Sequence, residues 1–138
     1  MRFVPWTKLR RDENDNVIGF LPQAFELRPD EDSLSVNWLE YFGGNRDENV
    51  RASITLFRDT RNVGKKSAFG VGQVGKIKQV CNANGAAVRI SYDPESDNLS
   101  HSVIRRLPRD DQGLLDALAS EAFSELIGNG SVEQATDL

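Results

Sequence analysis

Apolar and polar positions change rhythm several times along the chain. Residues 6–10 and 17–20 are short apolar-bearing runs on either side of an Asp/Asn-rich stretch, Arg11-Asp12-Glu13-Asn14-Asp15-Asn16. Asp and Asn side chains bond their own backbone in turns, so this pattern predicts a hairpin. Pro22 interrupts the second run, residues 24–27 alternate like a short strand, and Pro29-Asp30-Glu31-Asp32 reads as a turn. Residues 34–42 carry two rhythms. Leu34, Val36 and Trp38 alternate as in a strand, whereas Trp38, Leu39 and Phe42 sit at helical spacing ahead of Gly43-Gly44. The glycine pair is a natural helix stop and favours a short helix over 36–42.

Asn45 and Glu48 have the spacing of a capping box, each side chain reaching a free backbone N–H of the other. Val50, Ile54, Phe57 and Arg61 then follow along one helical face, against a rival strand through Val50, Ala52, Ile54 and Leu56. The cap favours helix. Residues 67–80 are rich in Val, Gly and Lys, Asn82-Ala83-Asn84-Gly85 is a turn signal, and residues 87–92 alternate, which together predict a β-hairpin. Residues 110–127 predict the clearest helix. Asp110 or Asp111 caps it, Leu114, Leu115, Leu118, Ala119, Ala122, Leu126 and Ile127 form its stripe, and Gly128 ends it. Strands and helices mixed without βαβ alternation give an α+β class, with a short antiparallel sheet and two or three helices. A length of 138 residues suits one domain over 1–128 and leaves a polar tail, 129–138, expected to be frayed.

Composition narrows the chemistry. The single cysteine, Cys81, excludes an intrachain disulfide, and one cysteine with one histidine excludes a thiolate-rich zinc site. Cys81 reads as a small residue in a strand or turn, with a reactive thiol as the alternative. No metal ligand set and no cofactor are expected. The first residues lack a signal-peptide pattern and no apolar run approaches a membrane span, so a cytoplasmic protein with no membrane partner is expected. Two glycosylation-type triplets, at Asn98 and Asn129, then count as chance.

The net charge of −4 argues against broad nucleic-acid binding. It is unevenly spread: residues 46–92 hold nine Lys/Arg and three Asp/Glu, the remainder eight and eighteen. The basic middle could meet phosphate or an acidic partner, or simply be solvated.

Three constellations carry candidate chemistry. Gly70-Val71-Gly72-Gln73-Val74-Gly75-Lys76 matches the phosphate-cradling Gly-x-Gly-x-x-Gly pattern, but that pattern needs a strand before it and a helix after it, and residues 77–80 resemble a strand. The plain alternative is a glycine-bearing strand that lets something pack closely. His101, the only histidine, lies in a polar, turn-rich segment with Asp93, Glu95 and Asp97 upstream and Ser100 and Ser102 beside it. Imidazole is the side chain whose unperturbed pKa lies nearest neutrality, so any imidazole acid or base here is His101. A loop histidine that only bonds backbone is the alternative. Finally, Arg28, ahead of Glu31, Ser33 and Ser35, is suited to clamping phosphate or carboxylate, or to standing in a solvated turn. A pocket joining Arg28, Ser35 and His101 would suit a phosphorylated ligand. Trp38, Tyr41 and Phe42 read as core.

Two stretches, Leu34-Ser35-Val36-Asn37-Trp38-Leu39-Glu40-Tyr41-Phe42 and Asp93-Pro94 followed by Asn98-Leu99-Ser100-His101-Ser102-Val103-Ile104, carry a resemblance. They resemble small uncharacterised bacterial proteins with a Leu-Ser-Val segment early and an Asp-Pro…Asn-x-x-His segment late. The resemblance implies a bacterial, cytoplasmic origin and directs attention to Ser35, Asn98 and His101. It brings no catalytic role with it.

Two functions follow as expectations. One is an accessory protein binding another protein, in a bacterial multi-gene system such as defence or toxin–antitoxin. The other is a small enzyme or binding domain for a phosphorylated, nucleotide-like or RNA ligand. There His101 would act as acid or base, Ser35 would join it at the catalytic centre, and Arg28, Lys76 and Asn98 would hold the ligand. A sequence-specific DNA binder has no basic recognition helix to support it.

Overall fold

In the computed structural model, which describes residues 1–132, short strands are arranged in three antiparallel sheets around one main core. The first sheet has the order β1 (Arg2–Val4), β5 (Ala68–Val71), β8 (Glu125–Gly128). The second is the hairpin of β2 (Leu9–Arg11) and β3 (Val17–Phe20), where the Asp/Asn cluster turns the chain as the pattern predicts. Asp12 Oδ1 accepts the backbone N–H groups of Asn14 and Asn16, and these bonds hold its carboxyl below the usual range. The third sheet has the order β4 (Ser33–Asn37), β7 (His101–Arg105), β6 (Arg89–Tyr92). The class is α+β.

Helix α1 (Arg46–Thr60) starts at the capping box read from the sequence: Asn45 Oδ1 accepts from Glu48 N and Glu48 Oε1 accepts from Asn45 N. Such a cap contributes about 1 kcal/mol. Val50, Ile54 and Phe57 lie buried along its inner face against Phe69. Fully burying each such side chain stabilises by roughly 1.5–3 kcal/mol. Helix α2 spans Val74–Ala83 and helix α3 spans Gln112–Ala117, the latter capped by Asp111 and running on into a π turn at Leu118–Ala122. The main core is sealed by Phe25, stacked on Phe123 at 4.7 Å and meeting Phe20 edge-on at 5.8 Å.

Several local expectations are overturned, each by tertiary pairing outweighing local rhythm. Residues 33–37 form strand β4 because β7 offers a five-residue partner, and only Leu39–Phe42 coil, as a 3-10 turn. Residues 24–27 are not a strand, since Pro22–Phe25 make a 3-10 turn that buries Ala24 and Phe25. The hairpin expected over 67–92 does not form. Residues 74–83 are helical, burying Ile77, Val80 and Cys81 on one face, and β5 pairs instead with β1 and β8. The helix expected over 110–127 stops at Ala122, and its last apolar residues form β8, paired to β5.

The tail expected from residue 129 is tied down at its start. Asn129 Oδ1 accepts from Arg58 Nε and Nη2, and Asn129 N donates to Ser67 O. Residues 133–138 of that expectation lie outside the described residues. Among the described residues no helix is long and apolar enough to cross a membrane.

Candidate functional site

The pairing of β4 with β7 builds the site. Asn37 stands opposite His101 and Ser35 opposite Val103, so these side chains share one face of the sheet. Ser35 and His101 are diagonal neighbours, within reach of each other's side chains. His101 is thus the first residue of a strand rather than a loop residue, and it is only 6% exposed. Its Nε2 lies 3.1 Å from Ser35 Oγ, and its Nδ1 lies 2.7 Å from the Asp93 carbonyl oxygen. The carboxylates of Asp93 and Glu95 stand 3.5 Å from Nδ1 and 3.6 Å from Nε2.

The segment before His101 is a tight loop closing the β6–β7 hairpin. Glu95 and Asn98 exchange both backbone hydrogen bonds, and Asp93 N donates to His101 O. A buried polar chain fastens it to the rest of the fold. Ser100 N and Oγ donate to Asn98 Oδ1, Asn98 Nδ2 donates to Asn37 Oδ1 at 2.7 Å, and Asn37 Nδ2 donates to Ser53 Oγ on α1. Asn98 therefore lines the site with its carboxamide engaged by the protein. That makes it a support for the loop, where the sequence suggested a ligand contact.

Beside Ser35 and His101 is a small cavity of about 80 Å³. Arg2, Lys8, Arg28 and Arg61 line it, together with Asn98 and a wall from Phe3 and Phe57. Arg2 projects from β1 into a half-buried position, where Nε donates to Ala24 O at 2.7 Å and Nη1 to Ser35 O at 2.8 Å. No carboxylate pairs with it at ion-pair distance among the described residues. Burial lowers the Arg2 guanidinium to about 10; Glu31 works against this, and Arg61 and Arg28 add to it. Lys8 is lowered too, first by burial and then by Arg2 and Arg28, with Glu26 and Glu31 opposing. Arg28 stands at the mouth, its side chain 70% exposed, in a loose 3.9 Å ion pair with Glu31.

Arg28, Ser35, Asn98 and His101 thus line one cavity. Lys76 does not join them. It is exposed on α2, a segment whose helical turn fixes it away from this cavity's lining. Arg2, Lys8 and Arg61 also line the cavity, and the sequence pattern had not singled them out. Three of the cavity's four Lys/Arg, Arg2, Lys8 and Arg28, come from the acidic first third, so the basic stretch of sequence is not the basic site in space. The available signal was Arg2 itself, a guanidinium set in the apolar run Met1-Arg2-Phe3-Val4.

The glycine-rich stretch does have a strand before it and a helix after it, β5 and α2. Its first two glycines nevertheless face protein, and only Gly75 faces open space. A Cβ on Gly72 would lie 2.7 Å from the Ala122 carbonyl oxygen, and one on Gly70 would lie 3.0 Å from Phe20 Cζ. Both are close-packing glycines, the plain alternative.

On the other face of the β4–β7–β6 sheet opens a larger cleft of about 770 Å³, lined by Val36, Ile90, Ile104, Ile77, Trp38 and Tyr92 among others. Trp38 and Tyr41 are not core: they are 43% and 38% exposed and cluster with Tyr92, which is 51% exposed. The 3-10 turn leaves them outside because it ends β4 at the sheet's rim. Compared with protein-family models, curated proteins and solved structures, the chain matches none.

Proposed function

We propose that the protein binds a phosphorylated ligand by its phosphate, in the cavity lined by Arg2, Lys8, Arg28 and Arg61, with His101 as acid or base beside it. The observation that carries this reading is Arg2. A half-buried guanidinium whose hydrogen bonds go only to carbonyl oxygens, with three further cations lining the same cavity, is costly until an anion arrives. The volume, roughly that of three waters at ~30 Å³ each, suits one tetrahedral anion with the rest of the ligand outside. Guanidinium forks suit phosphate oxygens.

Titration calorimetry with inorganic phosphate tests the reading. Binding should weaken about tenfold or more in Arg28→Ala, and fall with added salt. Equal affinity in wild type and Arg28→Ala, or no heat at all at millimolar phosphate, would remove it.

The accessory-protein reading keeps one specific support, the exposed cluster of Trp38, Tyr41 and Tyr92 beside the larger cleft. Copurification of a stoichiometric protein whose capture is lost in Trp38→Ala would favour it.

A further inference from the structure

The two nitrogens of His101 have different obligations. The Asp93 carbonyl has no proton to give, so the 2.7 Å contact requires N–H on Nδ1. In the neutral ring Nε2 then carries the lone pair, and the Ser35 hydroxyl at 3.1 Å donates to it. That is the tautomer in which an imidazole removes a hydroxyl proton. Ser35 is also held in place from behind. Its backbone is paired with Val103, and its carbonyl accepts from Arg2 Nη1. Ser35 belongs to the lining of the cavity that the four cations share.

We infer that Ser35 is the nucleophile of a phosphoryl transfer, with His101 as its general base and a phosphate monoester as the substrate class, an inference that rests on the phosphate-binding reading above. The Ser35 Oγ proton passes to Nε2 as the Oγ–P bond forms. The bond from phosphorus to the ester oxygen breaks with its electron pair, and that oxygen collects the proton from Nε2. Water then attacks the phosphoserine and gives a proton to Nε2. The Oγ–P bond breaks, Oγ takes that proton back, and inorganic phosphate leaves. Arg2, Lys8, Arg28 and Arg61 stand where charge on the non-bridging oxygens needs offsetting. Asp93 and Glu95 attract the positive charge that the ring acquires during the step. Glu95 lies on the Nε2 side, so it also repels the substrate. This predicts a split: Glu95→Gln tightens phosphate binding while slowing transfer.

The test uses monofluorophosphate, a phosphate-sized donor in which fluoride replaces the ester oxygen as leaving group. Fluoride release and intact mass are followed on the full chain, with peptide mapping of the adduct. The expected result is one phosphoryl group on Ser35 or catalysed fluoride release, blocked by inorganic phosphate. Ser35→Ala should abolish it and His101→Asn should slow it by about 100-fold or more. Phosphate binding should persist in Ser35→Ala. Phosphate binding without fluoride release above the Ser35→Ala level overturns the nucleophile and leaves the binding site standing. An adduct on another residue also overturns it. Absence of both phosphate binding and fluoride release overturns both readings. Mapping on the wild-type chain keeps the test decisive if either variant fails to fold.

Discussion

Ser35 Oγ and His101 Nε2 meet at 3.1 Å across 66 residues of chain, joined by the register of two neighbouring strands. The ring is buried and bonded on both sides, whereas Ser35 is half-buried with one side open to the cavity. Truncating the two should therefore cost different amounts. His101→Ala removes the donor to the Asp93 carbonyl and leaves a hole, for an expected loss of about 2–3 kcal/mol. Ser35→Ala should cost about 0.5–1.5 kcal/mol. Urea unfolding of both variants checks the order, and a reversal would mean that the serine, not the histidine, holds this end of the sheet.

Asn98 sets the loop that carries His101. Its carboxamide joins Ser100 to Asn37, and through Asn37 to Ser53 on α1, all of them buried. Asn98→Ala strands the Asn37 carboxamide oxygen without its donor. Leaving such a buried group unsatisfied costs about 1–3 kcal/mol. Amide exchange should quicken through residues 93–101 before it does in α1. Uniform quickening would show that the network is no local clamp.

Acid should weaken the fold well before its carboxylates titrate. In the 138-residue chain the Met1 amino group is buried and donates to Asn37 O at 2.7 Å. Burial lowers its pKa from 8.0 to about 5, with Glu40 opposing and Arg2 adding to the shift. The folded value lies below the unfolded one, so the unfolded chain binds more protons between pH 8 and pH 5. The contribution is full above pH 8 and is lost as pH falls to about 5. At 1.36 kcal/mol per unit the loss reaches the order of 4 kcal/mol. Denaturant midpoints at pH 8, 6.5 and 5 measure it. Midpoints that stay level across that window would contradict the burial of the charge.

The class of the fold and two of its elements were legible in local pattern. The Asn45/Glu48 box announces α1, and the Asp/Asn cluster between residues 10 and 17 announces the first hairpin. Both are signals that act within a few residues. What was not legible depends on partners far along the chain. Residues 34–37 needed β7, almost seventy positions away, to choose strand over helix. Leu126 and Ile127 continue a helical stripe in sequence but pair with β5 in space. The site divides the same way. Arg28, Ser35, Asn98 and His101 were picked out by residue type and turn context, and one cavity gathers them. Arg2 and Lys8 reach it only because β1 packs beside β4, which no local rhythm records. Lys76 was favoured by a glycine pattern whose first two glycines, Gly70 and Gly72, pack against Phe20 and Ala122.

Arg2 gives the sharpest single test of why the cavity is basic. Two opposing effects meet on this side chain. Its fork donates to the Ala24 and Ser35 carbonyls, which stabilises the fold, while its charge is partly desolvated near Arg61 and Arg28, which costs stability. Without an anion the two should nearly cancel, so Arg2→Met should move the unfolding free energy by no more than about 1–2 kcal/mol. Added phosphate breaks the balance in one direction only. Wild type should gain about 2.7 kcal/mol at a ligand concentration one hundred times Kd, and Arg2→Met should gain far less. Arg2→Lys should resemble the methionine variant, because an ammonium cannot bridge two carbonyls and face an anion with the same rigid fork. The measurement is thermal unfolding of all three chains with and without phosphate at constant ionic strength. A phosphate-induced shift of equal size in all three would place the anion elsewhere, and the half-buried guanidinium would then be only a strut between β1, the Pro22–Phe25 turn and β4.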